Sequence, residues 1–143
     1  QAEADAKAEE AKREAEIARL EALKIQVALA WRDLSEKQFQ SLVNALKGKD
    51  FKVYNTYVGD DPEAARYRNQ IDAALREAGI ETSYFSGWKQ AAGVSVLGED
   101  TLERKELSDA LTAAGIAHAV KKPNSFVGKE FPGLIIGTKL ERL

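Results

Sequence analysis

The chain has 143 residues, 44% hydrophobic and 31% charged, which suits one small soluble domain plus an extension rather than two full cores. Lys and Arg number 21 against 23 Asp and Glu, a net charge of -2, so the strongly basic footprint of phosphate-backbone binding is missing and nucleic acid is not an expected partner. Cysteine is absent, which removes disulfides, thiolate nucleophiles and cysteine-ligated metal together, and no apolar run approaches the roughly 18 residues of a membrane span.

Methionine is absent too, so the sequence reads as a stretch of a longer chain whose signal or anchor lies outside it. From Ala4 the alanines fall at 4, 8, 11, 15, 18 and 22, and Ile25 and Leu29 continue the series, which is the a/d seam of a heptad repeat. Ile17, Leu20, Val27, Trp31 and Leu34 open a second stripe on a neighbouring face. No Gly or Pro interrupts the chain before Gly48, so a helix over residues 4–34 is expected, about 46 Å long. Small seam residues bury little area each, and the expectation is a weakly self-associating coiled-coil stalk over residues 1–34, with a solvated single helix as the competing reading.

Ser35 and Gln38 form a capping box in which Leu34 and Phe39 occupy the staple positions, so a second helix starts at Glu36 and the domain boundary is placed there. Residues 51–58 read as a first strand. Asp61 caps a helix that has Pro62 at its first position and turns Ala64, Tyr67, the stem of Arg68, Ile71, Ala74, Leu75 and Ala78 inward. Strands follow at residues 80–85, 94–97, 116–120 and 134–139, with a helix capped by Asp100 or Thr101 between the third and the fourth.

Two stretches repeat. ALREAGIETSYF, from Ala74, and ALTAAGIAHAV, from Ala110, each end a helix in Ala-Gly-Ile, with Gly79 and Gly115 at the left-handed stop. Val58-Gly59-Asp60-Asp61 likewise recurs as Leu97-Gly98-Glu99-Asp100. The order is βαβ, βαβ, β, an α/β domain over residues 35–143 with a mixed or mostly parallel five-stranded sheet. Strands one, three and five are expected at its centre and parallel, and the helix after Ser35 on its second face. A ferredoxin-like α+β sheet, with strands two and three as antiparallel neighbours, is the alternative.

The stalk, WRDLSEKQ, the DPEAARYRNQI helix ending in AGI, the GVSVLG strand and LIIGTK together resemble the C-terminal globular module of uncharacterised bacterial proteins that carry membrane helices and a coiled coil upstream. The resemblance implies tethering to a membrane through segments outside this chain, and it carries no catalytic residue.

Chemistry has few candidates. Asp60, Asp61, Glu99 and Asp100 follow strands one and three and, with Lys139 nearby, are a conceivable Mg²⁺ pocket; capping of helix N-termini is the favoured role. Neither a Walker A pattern nor G-x-G-x-x-G follows a strand, so no cofactor is expected. His118, the single histidine, alternates in phase with Ile116 and Val120 as a half-buried strand residue, and no G-x-S-x-G elbow presents a serine to it. Trp88 and Phe126, in the loops after strands two and four, with Lys121 and Lys122, are the candidate partner-binding residues, and closure of the ends of a small core is the competing role of the two aromatics. The sequence thus favours a non-enzymatic interaction or sensing module whose partner is another protein, with a small-molecule or Mg²⁺-binding domain as the rival.

Overall fold

The computed structural model describes residues 2–84 and 91–140, apart from the side chains of residues 2 and 27–29. It divides into a helical unit that runs through Trp31 and an α/β unit, Arg32–Leu140. The helical unit is α1, Ala2–Leu29, 28 residues or about 42 Å of helix. Every side chain described along it is exposed, including Ile17, Leu20, Leu23 and Ile25. The helix stops short of the expected residue 34. Residues 31–35 are neither helix nor strand, and there the backbone N–H groups of Arg32 and Leu34 are bound by Glu63 and Gln70 instead of by helix carbonyls.

The α/β unit contains α2 (Glu36–Leu46), β1 (Lys52–Tyr57), α3 (Pro62–Glu77), β2 (Glu81–Ser83), β3 (Val94–Leu97), α4 (Leu102–Ala113), β4 (Ala119–Lys121) and β5 (Gly133–Ile136). Its boundaries follow local chemistry. The Ser35 hydroxyl accepts from the Gln38 N–H while the Gln38 side chain accepts from the Ser35 N–H, closing the capping box that starts α2. Helices α3 and α4 both end in a Schellman turn: the Ile80 N–H reaches the Leu75 carbonyl and the Ile116 N–H reaches Leu111, each at 2.9 Å. Gly79 and Gly115 take the positive φ, 94° and 73°, that this stop requires.

The sheet runs β2-β1-β5-β3-β4. β1 is parallel to β2 and β5, and β3 is parallel to β4 but antiparallel to β5. Strands one, three and five are central, as expected, and β3 and β5, whose apolar runs VSVL and LII imply that place, are buried at every residue. The expected parallel direction of β3 is corrected, because a short connection from β2 leaves β3 starting at the end where β2 stopped. The ferredoxin-like alternative fails because β2 and β3 lie on opposite sides of the central pair. The two βαβ repeats therefore point in opposite directions, with β5 between them.

All three helices of the unit lie on one face. Leu42, Val43 and Leu46 of α2 share a core with Ile71 and Leu75 of α3, Leu107 and Leu111 of α4, and Val53, Val96, Leu134 and Ile136 of the strands. Placing α2 on the second face is thus corrected: its apolar residues bridge α3 and α4. Leu97 and Ile135 on the second face are covered by Val127, with Tyr54 and Ala91 at the margin. The Tyr54 and Phe131 rings stack there at 4.6 Å.

Candidate functional site

β1, β2 and β5 finish at one end of the sheet and β3 and β4 at the other. The acidic turns after β1 and β3 therefore stand at opposite ends, and Asp60 and Asp61 are not brought to Glu99 and Asp100. The expected shared cation pocket is not assembled, and among the described residues no group of three His, Cys, Asp or Glu could hold a metal. The acids have local roles instead. Asp61 caps α3, accepting from the Glu63 N–H at 3.0 Å and the Ala64 N–H at 3.3 Å. Thr101 caps α4, while Asp100 pairs with Arg104 at 3.1 Å, and Asp60 and Glu99 are exposed.

In α/β sheets a ligand lies beyond the carboxyl ends of parallel strands. Beyond β1 and β5 that position is filled by the chain's own Arg32. Its backbone N–H and Nε each donate to Glu63 Oε2 at 2.8 Å, and its Nη2 donates to Glu63 Oε1 and to the Gly137 carbonyl, each at 2.6 Å. The guanidinium also lies 4.8 Å from the centre of the Tyr67 ring. Burial pushes the Glu63 carboxyl up, but the hydrogen bonds and charge of Arg32, with the charge of Lys139, outweigh it and hold the group below the ordinary range. Next to this clamp the Leu34 N–H donates to Gln70 Oε1 at 3.0 Å, and Gln70 and Arg66 both donate to Asp33. The segment that opens the α/β unit is thereby fixed to α3.

A second polar group sits between β1 and α3. Arg68 is only 5% exposed, whereas the sequence reading buried its stem alone. Its Nε donates to the Asn55 carbonyl at 2.8 Å and its Nη1 to Asn69 at 3.1 Å, and the guanidinium lies 4.4 Å from the Tyr84 ring centre. The Asn55 amide donates to the Arg68 carbonyl and to Asp72, which also receives Arg76 at 2.8 Å. Burial lowers the Arg68 guanidinium from its ordinary value, against the charge of Asp72. Arg68 Nη2 and Asn55 Oδ1 are buried without a hydrogen bond, so the group is a closed polar core and not an open pocket. No spacing rule marks Asn55, Asp72, Arg32 or Glu63, and the spacing that turns Arg68 inward does not account for the burial of its guanidinium. The nearest signal is a polar residue recurring on an otherwise apolar face.

His118 lies just before β4, half-buried. A carbonyl only accepts, so the 2.9 Å contact to the Ile116 carbonyl places a proton on Nδ1, and Nε2 shares a 2.7 Å hydrogen bond with the Ser108 hydroxyl. The matching place in the other repeat joins Arg76 to Thr82 at 3.2 Å. Both contacts tie a helix to the strand that follows it.

The remaining candidates are at the second end. β4 is an edge strand, exposed at all three residues, and Lys122 continues the exposed run. Its register pairs Lys121 with Leu97, and Leu97 in turn carries Val127. Gly128 lies so close to Leu97 that a Cβ would come within 2.9 Å of the Leu97 carbonyl carbon, which pins the loop here. Asn124 supports the same loop by accepting from the N–H groups of Phe126 and Val127 at 2.8 and 2.7 Å. Phe126, 73% exposed, is thus held next to the edge that carries Val120, Lys121 and Lys122. Trp88 lies outside the described residues. The loops that carry Trp88 and Phe126 leave the sheet at opposite ends. No family model, no curated protein and no solved structure matches the chain.

Proposed function

We propose that the chain is a non-enzymatic interaction or sensing module carried on a self-associating helical stalk, and that in the intact protein the stalk leads to a membrane anchor. The observation that carries this reading is α1: 28 residues of helix with its described side chains exposed and a heptad seam from Ala4 to Ile25 with no partner helix among the described residues. A second copy of the same helix is the natural cover, since small residues at a and d admit close approach. Arg32 and the helix caps already occupy the places where α/β chemistry is usual, which favours a display role over catalysis. The tether rests on the resemblance in sequence, and no described helix is long and apolar enough to cross a membrane.

Sedimentation velocity on the whole chain tests the stalk. Ala11→Glu with Ala18→Glu, both in the seam, should shift the protein from oligomer to monomer with an unchanged melting temperature for the α/β unit. A wild-type chain that stays monomeric at high concentration, or an oligomer indifferent to these changes, would remove the stalk from the proposal.

A further inference from the structure

We infer that the outer edge of β4 receives an extended acidic segment of a partner protein, which adds to the sheet as a sixth strand. This rests on the interaction-module reading and names the site and the chemistry of the partner.

The backbone supplies the first half of the argument. The Gly98 N–H donates to the Lys121 carbonyl at 3.1 Å, so Lys121 directs its main-chain groups toward β3. By the alternation of a strand, His118, Val120 and Lys122 direct theirs outward. No described strand pairs with that side. The His118 ring, held by Ser108 and by the Ile116 carbonyl, fixes the start of this row in place. An incoming strand of four or five residues would find about four hydrogen bonds there, the basis of recognition by strand addition.

Side chains supply the selectivity. Lys121 and Lys122 are exposed, and neither makes an ion pair among the described residues. Asp100 is engaged by Arg104, so the two lysines stand at this edge against one exposed carboxylate, Glu99, which follows the Gly98 bonded to Lys121. Val120, 47% exposed, and Phe126 offer apolar area beside the cations. The opposite edge differs: in β2, Glu81 lies 3.7 Å from Lys52, so its charge is locally matched. Short edges with lysines are also how sheets prevent pairing with their own copies. Here the two effects coincide, because the lysines that repel a second β4 attract an acidic strand.

The probe is a synthetic pentapeptide of alternating acid and valine, Asp-Val-Glu-Val-Asp, titrated into the isotope-labelled whole chain with amide shifts and hydrogen exchange as readouts. Expected are shifts and slowed exchange at His118, Val120 and Lys122. Binding should weaken about tenfold in Lys121→Glu with Lys122→Glu, a change to exposed side chains that leaves the fold intact. Val120→Pro, which removes an outward N–H, should abolish the exchange protection. Absence of shifts at millimolar peptide would overturn the inference. So would equal binding of pentaglutamate, which would make the edge a diffuse cation patch, or shifts that follow protein concentration alone, which would assign the edge to a second copy. Sedimentation of the seam variants is independent of all three results, so loss of the stalk and loss of this site are separately visible.

Discussion

Replacing Glu63 with glutamine tests how the α/β unit is closed at its first end. The side chains of Arg32 and Glu63 are 16% and 9% exposed, so their pair is largely shielded from solvent. The substituted amide would keep one acceptor but leave the Arg32 charge without its counterion, and breaking a shielded pair from one side costs about 3 kcal/mol. In a domain of roughly a hundred residues that lowers Tm by about 12 °C. The pH dependence is an independent check. A carboxyl held below its ordinary value contributes stability that is fully present above the unfolded pKa, about 4.3 for Glu, and is lost as pH falls through the depressed folded value. The gap between the thermal melts of the two proteins should therefore narrow as pH falls from 7 toward the acid end. A loss below about 1 kcal/mol at pH 7, with parallel curves down to acid pH, would show that the clamp is screened like a surface ion pair and would refute the reasoning.

Three further outcomes follow from the fold. Asp61→Ala should cost about 1 kcal/mol of unfolding free energy by denaturant melt, whereas Asp60→Asn should change it by no more than about 0.5, because only the former bonds the first turn of α3. Gly128→Ala should destabilise by about 2 kcal/mol or more, since φ is 92° and the added carbon meets the Leu97 backbone; a neutral result would mean the loop is not held there. In a thermal-shift assay, millimolar Mg²⁺ should move Tm equally in the wild type and in Asp60→Asn with Asp100→Asn, as the two turns occupy opposite ends of the sheet.

The sequence disclosed most about what is local. The caps at Ser35 and Asp61 and the glycine stops at residues 79 and 115 each depend on a few neighbours and stand where the pattern placed them, and of the two cap candidates for α4 the structure takes Thr101. The runs VSVL and LII correctly marked β3 and β5 as central, because only a strand buried on both faces lacks polar alternation. Direction was less legible. Whether β3 runs with or against β5 depends on where its connection begins, and nothing in VSVL records that. The side of the sheet taken by α2 was hidden for the same reason: Leu42, Val43 and Leu46 reveal an apolar face but not what it meets. Arg32 and Glu63 carry no mark in the sequence, and the spacing of α3 accounts only for the stem of Arg68, because charged groups at such positions are ordinarily solvated; only tertiary partners distant in the chain turn them into a clamp and a polar core.

β5 follows every other described element, yet it holds the centre of the sheet. It pairs with β1 on one side and β3 on the other, and it is the only described strand that joins the two repeats. During synthesis each repeat can form its parallel pair early, but the two halves stay unjoined until Gly133–Ile136 has emerged. Until then β1 and β3 both expose open hydrogen-bonding edges. The slow step in assembling this protein is therefore expected to be the late insertion of β5, a non-local event that pays its loop-closure entropy before any contact rewards it. A nascent chain halted before that point would be vulnerable to aggregation through those two edges.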